Sequence, residues 1–210
     1  MPAVETKPIP SHYTQSFPQY GLHVVCQDSL SFQEVAPYSR DGGLPPNTPT
    51  LIHGRVMVLA DTPNIFKSTR ECFGDGYLPD YAALLSHAAR RGELVSAFAF
   101  VNDGFPYCYV RALQRTGYRV LRSEGRDCDY RFVEHAVAMH ERADIFLLCG
   151  GDRRYRHLAS LFRQLGKYVI VAAQRSCCSR RLIKKAHEFV PFPVKQRSPI
   201  AHESTESVRQ

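Results

Sequence analysis

From residue 55 to 192, short apolar runs alternate with amphipathic stretches, and this alternation constrains the fold more than any other feature. The run Val56-Met57-Val58-Leu59-Ala60 has no polar member, as expected of a strand covered on both faces. Comparable runs lie at 94–101, 144–148 and 168–172, with a shorter one at 118–121 and an edge candidate at 189–192. Helical patterns separate them at 80–90, 107–114, 129–142, 155–165 and 179–187. In the first of these Tyr81, Leu84, Leu85 and Ala88 share one stripe, and in the third Phe132, Val133, Ala136 and Val137 do. Gly92, Gly117 and Gly166 stand where helices commonly stop. Strands that alternate with helices of this length are joined by crossovers. The expected fold class is therefore α/β, a mostly parallel sheet flanked by helices in three layers, with an N-terminal extension.

The flanks read differently. Residues 1–54 hold eight prolines and many Ser and Gln residues, and are expected to form an extended segment. Within it, 22–26 and 30–35 flank Gln27-Asp28-Ser29 and read as a hairpin or an added edge pair. Such a segment is a place for a protein partner or for self-association. Residues 193–210 read as a flexible tail. Residues 1–20 lack the apolar centre of a signal peptide, and no run reaches the ~18 apolar residues of a membrane span. A cytoplasmic protein with no membrane partner is expected.

Seven cysteines, an odd number with no CxxC spacing, speak against a zinc site or a disulfide framework. They read as buried or idle thiols, with the vicinal pair Cys177-Cys178 as the redox candidate. The net charge is +7, and from residue 153 to 195 eleven Lys or Arg residues face one acid, Glu188. A local excess of this kind attracts polyanions and releases their counterions, so nucleic acid is the expected partner.

In a parallel sheet the ligand crevice lies at the carboxyl ends of the strands. Asp61 follows the first strand directly, Asp152 follows a Cys149-Gly150-Gly151 turn after the 144–148 strand, and Asp129 opens the helix after the third. Asn102 and Asp103 are weaker candidates behind the second strand. Taken singly, Asp61, Asp127, Asp129 and Asp152 also suit helix N-caps. Three acids converging on one edge repel one another, and a hard divalent cation such as Mg²⁺ or Mn²⁺ is the usual compensation. No GxGxxG, GxxxxGK[ST], GxSxG or HExxH pattern occurs, so dinucleotide, P-loop, hydrolase and zincin chemistries lack support.

Three segments carry a family resemblance. Val56-Met57-Val58-Leu59-Ala60-Asp61-Thr62-Pro63-Asn64 resembles the opening of NYN domains in the PIN-like nuclease superfamily (the LabA-like group), where an apolar strand runs into Asp-x-x-Asn. Arg126-Asp127-Cys128-Asp129 is similar to their Lys-x-x-Asp segment, and Gly151-Asp152-Arg153-Arg154-Tyr155 to their Gly-Asp-x-Asp-Phe segment. The resemblance implies a PIN-like domain over about 55–192. It also implies a ribonuclease that hydrolyses RNA with Mg²⁺ or Mn²⁺ held by Asp61, Asp129 and Asp152. Asn64 would orient the first acid or the scissile phosphate, while the metal would polarise the phosphoryl group and activate water. Arg153, Arg154, Arg175, Arg180 and Lys184 are the expected RNA-binding residues, with Arg156, Arg181 and Lys185 beside them. Arg154 replaces the second carboxylate of the Gly-Asp-x-Asp segment, and His135 stands where many members carry another acid. An inactive RNA-binding domain is therefore an alternative, and a protein-interaction scaffold is a third.

Overall fold

The computed structural model describes residues 54–125 and 128–197, together with the backbone of two earlier strands, β1 (Tyr13–Phe17) and β2 (Leu22–Cys26). These two pair antiparallel, Tyr13 opposite Cys26 and Phe17 opposite Leu22. The strand expected at 22–26 is present, and its partner lies upstream of it. The 30–35 segment expected to pair with it lies outside the described residues.

The body is a six-stranded, wholly parallel sheet. It comprises β3 (Arg55–Asp61), β5 (Glu93–Asn102), β6 (Arg119–Ser123), β7 (Ile145–Cys149), β8 (Tyr168–Ala173) and β9 (Glu188–Pro191), in the spatial order β6-β5-β3-β7-β8-β9. The helices are α1 (Thr62–Phe73), α2 (Tyr81–Ala89), α3 (Tyr107–Arg115), α4 (Asp129–Ala138), α5 (Tyr155–Gln164) and the short α6 (Arg180–Ile183). Alternate residues of each strand feed opposite layers. Val56, Val58 and Ala60 pack with Ile65, Leu84 and Leu113 from α1, α2 and α3. Met57 and Leu59 pack with Phe132, Leu158 and Phe162 from α4 and α5. Burial on both faces is why the strands read as unbroken apolar runs.

Several elements depart from expectation. α1 carries no clear apolar stripe, because Ser68 and Thr69 share its buried face with Ile65. It is set by its start instead, where the Asp61 side chain caps the helix and a proline sits in the first turn, the one place a helix tolerates it. The helix expected at 179–187 is only the four residues of α6, because the His187 N–H bonds to the Val169 carbonyl and turns the chain into β9. Residues 140–142 form a 3-10 turn rather than the end of α4. Past Phe192 the chain adds β10 (Val194–Gln196), antiparallel to β4 (Tyr77–Pro79), where a loose tail was expected.

After β3 the chain builds β5 and β6 on one side and returns to place β7 on the other. The order therefore reverses between β5, β3 and β7, and at such a switch point a crevice opens outside the carboxyl ends of the strands.

Candidate functional site

Asp61 ends β3 and is 3% exposed. Its Oδ1 accepts the Asn64 backbone N–H at 3.3 Å and lies 3.4 Å from the Cys128 thiol, which donates to it. Its Oδ2 is 2.6 Å from the Tyr155 hydroxyl. That hydroxyl also lies 2.7 Å from Oδ1 of Asp129, the first residue of α4. The guanidinium of Arg154 holds the other oxygen of Asp129. A chain of four side chains thus links β3, α4 and the start of α5 at the switch point.

A single phenolic hydrogen cannot serve two carboxylate oxygens, so one of the two contacts must come from a carboxylic acid. Burial raises Asp61 to about 6, with the Asp129 charge adding to it and the Tyr155, Asn64 and Cys128 donors pulling back. Burial and the two carboxylates push Tyr155 well above the phenol range, so it keeps its hydrogen. In its protonated form Asp61 donates to the Tyr155 oxygen and Tyr155 donates to Asp129.

The turn after β7 is fitted closely to this chain. Gly150 has φ +143°, and a Cβ there would stand 3.2 Å from the Asp61 Cβ and 3.4 Å from the Tyr155 ring. A Cβ on Gly151 would meet the Cys177 carbonyl at 2.7 Å. The Gly151 N–H donates to Asn64 Oδ1 at 2.8 Å. Asn64 thus contacts Asp61 by its backbone and fixes the glycine turn with its side chain.

Asp152 sits at the same edge but serves its own turn, its Oδ1 accepting the Arg154 backbone N–H at 2.8 Å. The structure brings Asp61 and Asp129 together and leaves Asp152 out of the shared network. Among the described residues no group of three or more His, Cys, Asp or Glu side chains stands ready to hold a metal ion. His135 is no substitute acid, for it packs edge-on against Phe98 at 4.3 Å.

Arg153, Arg154, Arg156, His157 and Arg181 line a cavity of about 430 Å³. No acid lines it, and Arg154 joins it to Asp129. Arg180 and Lys184 lie outside the lining, although Arg180 stands beside Arg181 in α6 and Lys184 caps its end. The Arg175 guanidinium lies over the Phe189 ring, 5.4 Å from its centroid. Tyr155 and Cys128 were not legible as site residues. The signal for Tyr155 was its hydroxyl at a position where the resembling motif has Phe.

A sequence-family model for the NYN domain matches residues 55–195, well over half of the chain. The chain belongs to the NYN domain family. Membership carries a nuclease-like, RNA-related function at the level of the family. Among solved structures, a protein of unknown function from Vibrio parahaemolyticus matches this NYN domain with a TM-score of 0.62 at 23% identity. The match covers 68% of this chain and 94% of that one, and it shows the shared fold. No curated protein matches the chain. Among the described residues of the NYN protein, no helix is long and apolar enough to cross a membrane.

NYN and PIN-like domains generally depend on a divalent metal, and Asp61 and Asp129 are the hard oxygen donors such an ion prefers. Here, however, both oxygens of each carboxylate are engaged, and a guanidinium already stands as the cation beside Asp129. As arranged, a divalent ion would have to displace the Arg154 guanidinium to reach that oxygen of Asp129.

Proposed function

We propose that this NYN domain binds RNA in the arginine-lined cavity, with Arg154 taking the place of the cation that the acidic centre would otherwise hold. The observation that carries this is the position of Arg154, paired with Asp129 on one side and lining the arginine-rich cavity on the other. A guanidinium is planar, always charged and weakly hydrated, so it can bridge a carboxylate and a phosphate. Arg153, Arg156 and Arg181 supply further donors for the backbone, and a bound strand would pass directly over the Asp61–Tyr155–Asp129 chain.

Single-stranded RNA binding in the presence of EDTA tests the proposal. Affinity should be unchanged by the chelator. The pair Arg156→Glu with Arg181→Glu should bind far more weakly at low salt, its salt slope reduced by about 0.7 per lost phosphate contact. Binding that vanishes in EDTA, or that survives the double substitution intact, would sink it.

A second reading, a Mg²⁺- or Mn²⁺-dependent ribonuclease, draws on the closeness of Asp61 and Asp129 about one hydroxyl. Two acids held so near each other, one of them raised to about 6, would gain from a divalent ion. Replacing Arg154 separates the two readings. On the proposed function, wild type does not cut RNA in Mn²⁺, whereas Arg154→Asp, which restores the missing carboxylate, gains Mn²⁺ affinity and Mn²⁺-stimulated cleavage. Wild-type cleavage that Asp61→Asn abolishes would establish the nuclease instead.

A further inference from the structure

Cys72 lies near the end of α1 and Cys177 in the 3-10 turn (Arg175–Cys177) after β8. Their positions are 105 residues apart in the chain, yet their sulfurs stand 3.2 Å apart. Cys72 Sγ is also 3.0 Å from the Ser176 hydroxyl, and Cys177 Sγ is 3.7 Å from the Glu71 carboxylate. Both thiols are half-buried, so a small oxidant can reach them, whereas Cys128, Cys149 and Cys178 are buried. The vicinal pair suggested by the sequence diverges, because Cys178 turns into the core beside Leu182. The sulfur facing Cys177 comes from the far end of α1.

We propose that Cys72 and Cys177 form a peroxide-sensitive thiol pair that closes to a reversible disulfide. Closure brings the sulfurs from 3.2 Å to about 2.05 Å, a movement on the order of 1 Å that side-chain rotation can supply. Burial, with Cys72 alongside, pushes the Cys177 thiol up to about 11, so it stays protonated. The Ser176 hydroxyl stands nearer to Cys72 Sγ, at 3.0 Å, than to Cys177 Sγ, at 3.8 Å, so its hydrogen best supports negative charge on Cys72 during the attack. The Cys72 thiolate breaks the O–O bond of hydrogen peroxide, becomes a sulfenic acid and releases hydroxide. The Cys177 sulfur then displaces the sulfenic oxygen, its proton leaving with that oxygen as water. In sum two thiols lose two electrons and two protons, and one peroxide becomes two waters.

The bond would join two elements that hold the candidate site. Asp61 caps α1, and α1 carries Asn64, whose side chain fixes Gly151. On the other side, the Ser179 N–H donates to the Gly151 carbonyl at 3.0 Å, and the Cys177 carbonyl leaves no room for a Cβ on Gly151. The cross-link therefore ties the helix and the loop that enclose the glycine turn, closing a covalent loop of more than a hundred residues. A constraint on so long a loop stabilises by limiting the unfolded chain. None of this depends on RNA binding.

The test uses the full-length, fully reduced protein treated with one equivalent of hydrogen peroxide. Counted after denaturation, its seven thiols should fall by two. Peptide mapping without reductant should link the Cys72 and Cys177 peptides, and dithiothreitol should reverse the link. The melting temperature should rise by roughly 5 °C or more on oxidation. Cys72→Ser and Cys177→Ser should each abolish the link and the rise, and Cys108→Ser should keep both. An unchanged thiol count, a Cys177–Cys178 bond, or sulfinic acid without a cross-link would overturn the proposal.

Discussion

The two ends of the central sheet each hold an aspartate at a strand terminus, and the two have opposite fates. At the amino end Asp144 faces Arg55. It accepts from the Arg55 backbone N–H at 3.0 Å and from its guanidinium at 3.1 Å, and both side chains are about half exposed. The Arg55 hydrogen bonds hold Asp144 down at about 2. At the carboxyl end Asp61 is buried and raised to about 6. Asp144 has a cation of its own and is half exposed, whereas buried Asp61 has only neutral donors, the Asn64 N–H, the Cys128 thiol and a hydroxyl shared with Asp129, and the cation serves Asp129. The arrangement costs stability at one end and not at the other, a contrast that supports placing the candidate site at the costly end.

Asp61 has its folded value above the ordinary 3.8, so between about pH 4 and 6 the folded protein holds the extra proton. Stability therefore falls as pH rises through that window. Asp144 has its folded value below 3.8, so its contribution is complete above about pH 4 and is lost as pH falls toward 2.

The largest effect expected is from Asp61→Asn. The amide keeps an acceptor for Asn64 and offers an N–H to Tyr155, copying the protonated acid without its charge. It should stabilise the domain by roughly 2 to 3 kcal/mol at pH 8 and hardly at all at pH 4. Urea unfolding at the two pH values measures this, and equal changes at both would break the contrast between the ends. Tyr155→Phe comes next. Loss of the bridging hydroxyl leaves buried carboxyl oxygens unpaired and should cost roughly 1 to 2 kcal/mol. It also removes a donor that holds Asp61 down, so the pH transition should move above 6, and a transition that stays or falls would show that the hydroxyl does not bridge. The smallest effect belongs to the amino end. Arg55→Ala removes a half-exposed ion pair and should cost no more than about 1 kcal/mol at pH 7. Because such pairs are screened, the difference should shrink in 1 M NaCl, and a loss that persists in salt would mean that packing, not charge, holds that end.

Most of the parallel sheet was legible because strands buried on both faces leave unbroken apolar runs, as in Val56 to Ala60. α1 was not, since a helix fixed by a cap and a proline leaves little periodic trace. β4 and β10 pair only three residues each, too few for any pattern to rise above the loops around them. At the site, Asp61 and Asp129 were legible because strand ends and helix starts converge on one edge. The turning of Asp152 onto the Arg154 N–H was not, because it depends on local backbone geometry. The choice of Arg181 over Arg180 and Lys184 depends on the phase of a four-residue helix, which no periodicity can reveal.

The central position of β3 has a consequence for how the chain is made. Val56 pairs with Ile145 on one side and with Leu94 on the other. As the protein leaves the ribosome, β5 is available early, but β7 must wait for some ninety further residues after β3. In that interval the strand destined for the middle of the sheet is an edge strand, with its backbone hydrogen-bonding groups open and its side chains apolar from Val56 to Ala60. Such an edge is a template for aggregation. Pairing that bridges so much chain is also slow to form. Substitutions that delay the second half of the domain should therefore lower the yield of soluble protein before they change the stability of what does fold.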